Sequence, residues 1–206
     1  MTRGKPNAKM VSWYKEQYPE APLFYIQGDT INSKSKALAL AASDLNDDSL
    51  LFIIDVDMVF KAEIFDRIRW FTIPGKQVYF PIVFSEYSPK MSREKNVGSE
   101  YEHFQYEEPF GLWREYGWGM VSIYQFDLVT VGGYDTTIVG WGDEDVDFSE
   151  KVINSMNVIR VPEPGLVHVY HDKNCHDILE RKAIKERDCE IKATISNYNR
   201  NYNFKL

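Results

Sequence analysis

The sequence predicts an α/β layered domain with a mixed, mostly parallel sheet. Three observations lead there. Short apolar runs alternate with segments of helical periodicity, 44% apolar and 15% aromatic residues supply a real core, and 206 residues suit one domain. No repeat or Gly/Ser linker divides the chain, so residues 1–206 read as a single unit, with 193–206 as a tail.

The elements follow in order. Pro22 to Gln27, "PLFYIQ", reads as a strand, and Ser33 to Leu45 as a helix with Ser33 as its cap. Leu50 to Ile54 is a short apolar strand. The segment "KAEIFDRIRW" is helical, with Ile64, Phe65 and Ile68 on one face, and Gln77 to Phe84 is a strand in which Pro81 marks an edge or a bulge. Ser85 to Glu108 is a long polar loop of the kind that usually has a function. A stretch dense in glycine and aromatics then leads to a helix from about Glu144 to Asn154, and the strand "NVIRV" precedes "PEPGLVHVYHDKNCHD".

Composition narrows the function. A formal net charge of −7 lacks the basic footprint that phosphate backbones require, so nucleic acid is excluded as a partner. Acidic patches here should hold cations instead. The longest strongly apolar run, Leu50 to Ile54, is far short of a membrane span, and the first ten residues contain no signal-peptide core. Two cysteines, Cys175 and Cys189, allow one bridge but neither a disulfide framework nor a cysteine zinc site.

Three constellations carry chemistry. Asp55 and Asp57 close the run "LLFIIDVDMVF", and in an extended segment residues two apart face the same way, so both carboxylates can meet one divalent cation that also binds a diphosphate. On the tripeptide alone, solvated aspartates in a turn are the commoner explanation. "GWGDEDVDF" places four acids within five residues before a helix. Acids there complement the helix dipole at little cost, whereas crowded carboxylates raise one another's pKa and fit one of them to act as a base. A calcium loop is rejected, because Phe148 and Asn154 stand where it needs glycine and glutamate. Trp141, between two glycines, suits either stacking on a sugar or burial in the core. "HVYH" sets His168 and His171 three apart, and an imidazole beside a D-x-D pair favours manganese over magnesium.

Five blocks in order, "LLFIIDVDMVF", "VYFPIVFSEYSPK", "FGLWREYGWGM", "VGGYDTTIVGWGDEDVDF" and "GLVHVYHDKNC", resemble the C-terminal glycosyltransferase domain of the chondroitin synthases and chondroitin N-acetylgalactosaminyltransferases. The resemblance covers roughly residues 10 to 192 and extends more distantly to the β-1,4-galactosyltransferases. It implies a GT-A fold and an inverting enzyme that uses UDP-GalNAc and Mn²⁺ to add β-1,4-N-acetylgalactosamine to a terminal glucuronic acid of chondroitin or a proteoglycan glycan. By the same resemblance the parent is a type II membrane protein working in the Golgi lumen, in a hetero-oligomer with another chondroitin synthase subunit where it polymerises chains.

Carried across residue by residue, Asp55 and Asp57 fall on the D-x-D, with Asp57 the direct metal ligand, and His171 and His168 fall on further metal-ligand positions. Asp145 falls on the catalytic base, and Trp141, Gly142, Glu144 and Trp118 on substrate-binding positions. Cys175 and Cys189 resemble a late cysteine pair of chondroitin synthases. Lys36 stands where the family has an arginine near the donor, keeping the charge but losing the planar fork. The sequence also begins after the point where the family places its first strand, so that strand is expected to be absent. Other readings are a non-catalytic polymerising partner, a carbohydrate-binding module without chemistry, and a galactosyltransferase-like enzyme using UDP-galactose.

Overall fold

Ser33 opens the first helix, α1 (Lys34–Ser43), where its side chain accepts from the Lys36 amide at 3.4 Å and donates to the Ile138 carbonyl at 3.0 Å. One buried hydroxyl thus fixes both a helix start and the loop that leads towards Trp141. The computed structural model describes residues 33–88, 92, 103–138 and 143–171, with isolated positions 12, 15, 16 and 19. The strand expected at Pro22 to Gln27, both cysteines, Trp141, Gly142 and the tail lie outside the described residues. The chain divides into two units, Met1–Val169 and Tyr170–Leu206, and every element named here belongs to the first.

After α1 come β1 (Leu50–Ile53), β2 (Met58–Phe60), α2 (Ile64–Phe71), β3 (Gln77–Tyr79) and β4 (Ile82–Glu86). Then follow β5 (Gly111–Arg114), β6 (Val121–Tyr124), α3 (Gln125–Thr130), α4 (Glu144–Ser155), β7 (Asn157–Ile159) and β8 (Pro162–His168). The strands form two four-stranded mixed sheets, ordered β1-β6-β3-β7 and β2-β8-β4-β5.

The α/β class holds, but the mostly parallel sheet does not form. Among the described residues, only β3 with β7 and β4 with β8 run parallel, while the other four pairings are antiparallel. Strand and helix alternation predicts parallel neighbours when each helix returns the chain to the same sheet. Here β1 and β2 are separated by four residues and enter different sheets, so alternation along the chain is not alternation within a sheet.

Pro81 marks a crossing of the same kind. The expected strand Gln77 to Phe84 splits at Phe80 and Pro81 into β3 of one sheet and β4 of the other. Its neighbour crosses alongside, since the Phe80 amide donates to Ile159 and the Ile82 amide to Val161, both at 2.9 Å. Residues 80 and 82 donate to that side, so the amide that proline lacks falls on the other.

Three apolar clusters support the sheets. Phe80, Val121, Ile123, Phe148 and Val152 fill one with β6 and α4. Ile64, Ile68, Tyr79, Val83 and Leu166 join α2 to the strands of the second. Phe65, grouped with Ile64 and Ile68 from the sequence, is exposed and lies edge-on to Phe60 instead. Phe84, Phe110 and Val167 form the third, where Tyr106 stacks on Trp113 at 5.2 Å. At Gly111 a Cβ would lie 2.3 Å from the Ser85 carbonyl, so β4 and β5 approach this closely only with glycine.

One ionic hub ties α2 to β8. Glu163 is fully buried and accepts from Arg67 through two guanidinium nitrogens, from the Tyr79 hydroxyl at 2.9 Å and from the Gly165 amide at 2.7 Å. Every lone-pair direction of that carboxylate has work to do, which offsets its desolvation. Removing it strands a guanidinium and a buried hydroxyl. Glu163→Ala is therefore expected to cost about 3–5 kcal/mol, read as a lower urea midpoint with an unchanged slope.

Candidate active site

The turn between β1 and β2 is where the two aspartates of the D-x-D sit. Residues 54 and 55 belong to no strand and 56 and 57 form a turn, so strand alternation does not by itself aim both carboxylates one way. Asp55 pairs with Lys34 at 2.6 Å, and Asp57 lies 3.4 Å from the His168 Nε2. Each carboxylate therefore faces a separate partner. Pairing of Met58 with His168, together with the Val169 amide donating to the Asp57 carbonyl at 2.9 Å, sets Asp57 at the end of β8 beside the imidazole.

Gly119 is the point where the acidic cluster closes. A Cβ built on it would lie 3.5 Å from the Asp55 Oδ2, 3.7 Å from the Asp145 Oδ2 and 4.0 Å from the Lys34 Nζ. Glycine leaves that space open. Two carboxylates and one ammonium thus border a gap about one methyl group deep.

Asp145 comes from the first turn of α4, and its Oδ1 accepts from the Val146 amide at 3.0 Å. Burial pushes its pKa above the usual carboxylate range, and neighbouring Glu144 adds to the rise. Lys34 and the backbone donors oppose the shift without cancelling it. Glu144 itself is buried, with the Asp143 amide donating to it at 3.1 Å. Asp147 turns the other way, to Lys151 at 2.7 Å, so the four-acid run divides between the site and the surface.

Trp118, half-buried, meets the Phe80 ring edge-on at 5.1 Å and carries the Arg160 guanidinium 4.0 Å from its centroid. Lys36 is exposed, and its amide is the one Ser33 caps. His171 is exposed and belongs to the second unit.

Four residues at or beside the site escape a reading by motif. Lys34, Gly119 and Arg160 are three of them. The fourth is Tyr134, buried and stacked on Phe148 at 4.3 Å, whose phenol is held protonated by burial and by the charges of Asp145, Asp55 and Glu144. A lysine just inside a helix cap and a tyrosine after a Gly-Gly turn are the only sequence signals they give.

An imidazole beside a turn aspartate, and a half-buried helix-start carboxylate of raised pKa, are features that cluster at functional sites. Residues 3–195 match the family described as chondroitin N-acetylgalactosaminyltransferase, and the chain belongs to that family of hexosyltransferases.

Mouse chondroitin sulfate synthase 3 is 39% identical over 178 residues, which cover 86% of this chain and 20% of that protein. Mouse chondroitin sulfate N-acetylgalactosaminyltransferase 2 is 41% identical over 133 residues, covering 63% of this chain and 24% of the relative. The mouse N-acetylgalactosaminyltransferase 1 is 37% identical over 139 residues, or 66% and 26%. The chain thus spans about a fifth to a quarter of the length of these relatives.

Lys34 is the cation that holds the Asp145 pKa down, so its removal should raise that pKa further. Carboxyl-carbon NMR of Lys34→Met is expected to show the Asp145 titration moved to higher pH, with the α4 resonances otherwise unchanged.

Proposed function

We propose that this chain transfers N-acetylgalactosamine from UDP-GalNAc, with inversion, to the 4-hydroxyl of a terminal glucuronic acid in chondroitin. The observation that carries the reading is the gap at Gly119, where Asp145, with its raised pKa, faces the D-x-D carboxylate Asp55 and Lys34. A base must stand apart from the charge that holds the leaving group, yet close enough to share one sugar between them. Family membership and the names of the relatives support the donor and the acceptor.

In this reading the protein is a GT-A enzyme. Asp57 and His168 would hold Mn²⁺, and a carboxylate with an imidazole is a donor set that suits that ion. When bound, the cation supplies neutralisation of the departing diphosphate. Asp145 accepts the proton of the acceptor hydroxyl, and its raised pKa makes it a stronger base than an exposed aspartate. Lys34 keeps Asp55 from repelling Asp145 at full strength. Glu144, Trp118, Trp141 and Gly142 orient the sugar, and Lys36 attracts the donor phosphates. The same reading places catalysis in the Golgi lumen, within a type II membrane protein that pairs with another chondroitin synthase subunit.

The direct experiment incubates the chain with UDP-GalNAc, Mn²⁺ and a chondroitin oligosaccharide ending in glucuronic acid. A β-1,4-linked product is expected; sugar binding without transfer, and without need of UDP or Mn²⁺, would replace the reading by a carbohydrate-binding one.

Two substitutions sharpen it. Asp145→Asn is expected to lower kcat by at least about a hundredfold with Mn²⁺ binding intact. Because folding raises the Asp145 pKa, the stability this group lends is present at low pH and lost as pH rises through that raised value. The asparagine variant should therefore melt no lower than the parent at neutral pH, which calorimetry checks. Asp57→Asn should weaken Mn²⁺ binding by about tenfold or more, measured by the free-ion signal in electron paramagnetic resonance.

A further inference from the structure

We propose that Arg160 is a positioning residue for the transfer reaction, acting through Trp118 and Gly119 although it borders none of the acidic groups at Gly119. The inference rests on the functional reading above, but its structural half stands apart from it.

Arg160 follows β7, which is held in its sheet by parallel pairing with β3. From that base its Nη2 donates to the carbonyls of Glu115 and, at 2.8 Å, of Gly117. The guanidinium plane also lies 4.0 Å from the Trp118 ring centroid. Three successive points on the segment joining β5 to β6 thus converge on one half-buried side chain. A guanidinium does this because it is flat and presents donors in a fixed fork, so it stacks and donates together. Apart from the Phe80 contact of Trp118, the segment's ties among the described residues include short-range backbone bonds, from the Glu115 amide to Trp113 and from the Gly117 amide to Arg114.

What the segment delivers is Gly119, one residue past the stacked indole, where an added Cβ would reach van der Waals range of Asp55, Asp145 and Lys34. Phe80 meets the indole at a steep angle and Arg160 lies over one face, so the ring is held from two sides. Loosening the arginine would let both the indole and Gly119 drift into or out of the gap. The Asp57–His168 pair, carried by other strands, would not move with them.

Arg160→Ala and Arg160→Lys in the full chain test this. Hydrogen exchange over residues 115–120 should quicken in both, with β6 and α4 unchanged; unaltered exchange there overturns the proposal, whether or not the parent chain transfers sugar. If the parent does transfer sugar, kcat is expected to fall about ten- to a hundredfold with Mn²⁺ affinity unchanged, and millimolar guanidinium should restore part of it in Arg160→Ala. A folded Arg160→Lys with parental kcat overturns the functional half. A parent chain with no transferase activity, but with quickened exchange in the variants, would sink the functional reading and the catalytic half of this inference, leaving the structural tie.

Discussion

The constraint on which this structure depends is that its strands change sheets. The chain leaves one sheet and enters the other five times, through α2 between β2 and β3 and through short segments from β1 to β2, from β3 to β4, from β5 to β6 and from β7 to β8. A strand that stays in its ladder spends its backbone donors and acceptors on neighbours, whereas a segment between ladders is freed to turn. Those four short segments carry Asp55 and Asp57, Pro81, Trp118 and Gly119, and Arg160. The chemistry lies where the ladders are interrupted. Two of the crossings run side by side, held by the amides of Phe80 and Ile82, and they give the others a fixed frame.

Such a frame has to bear an electrostatic load. Asp145 is half-buried next to the buried Glu144, and only Lys34 among its named neighbours opposes the rise in its pKa with a charge. Folding therefore works against the ionised form of the group that the proposed chemistry needs. The Glu163 hub shows the opposite treatment of a buried carboxylate, with a guanidinium, a phenol and a backbone amide all directed at it. Satisfying a charge fully makes it inert, while leaving it under-compensated makes it basic. The two carboxylates mark a division between what holds the fold and what is kept available for reaction.

The sequence disclosed the elements better than their arrangement. The helix called from about Glu144 to Asn154 forms as Glu144–Ser155, and Ser33 caps α1 as its position implied. Sheet direction was not legible, because alternation along the chain carries no information on which sheet a strand joins. At the site, the acidic helix start was legible as a local pattern, while singling out Asp145 within it came from the family resemblance. Lys34, Gly119, Tyr134 and Arg160 were not, since their roles come from segments that meet only in three dimensions; Arg160 reads on its own as one charged residue inside an apolar strand.

The turn of the D-x-D raises a last point about what two aspartates separated by a valine are for. Were both side chains directed at one ion, that ion would compete for Asp55 with Lys34, an ammonium already 2.6 Å away. The geometry gives the two carboxylates different neighbours instead: an imidazole for Asp57, and for Asp55 a lysine that also lies at the gap bordered by Asp145. Val56 between them is almost fully exposed, at 90%, so it acts as a spacer that packs on nothing described. Under the proposed function, a turn of this shape would separate cation binding at Asp57 from charge balance near Asp145, and a strand with both aspartates on one face would have merged them. Substituting one aspartate should therefore not reproduce the loss of the other, because each governs a different half of the site.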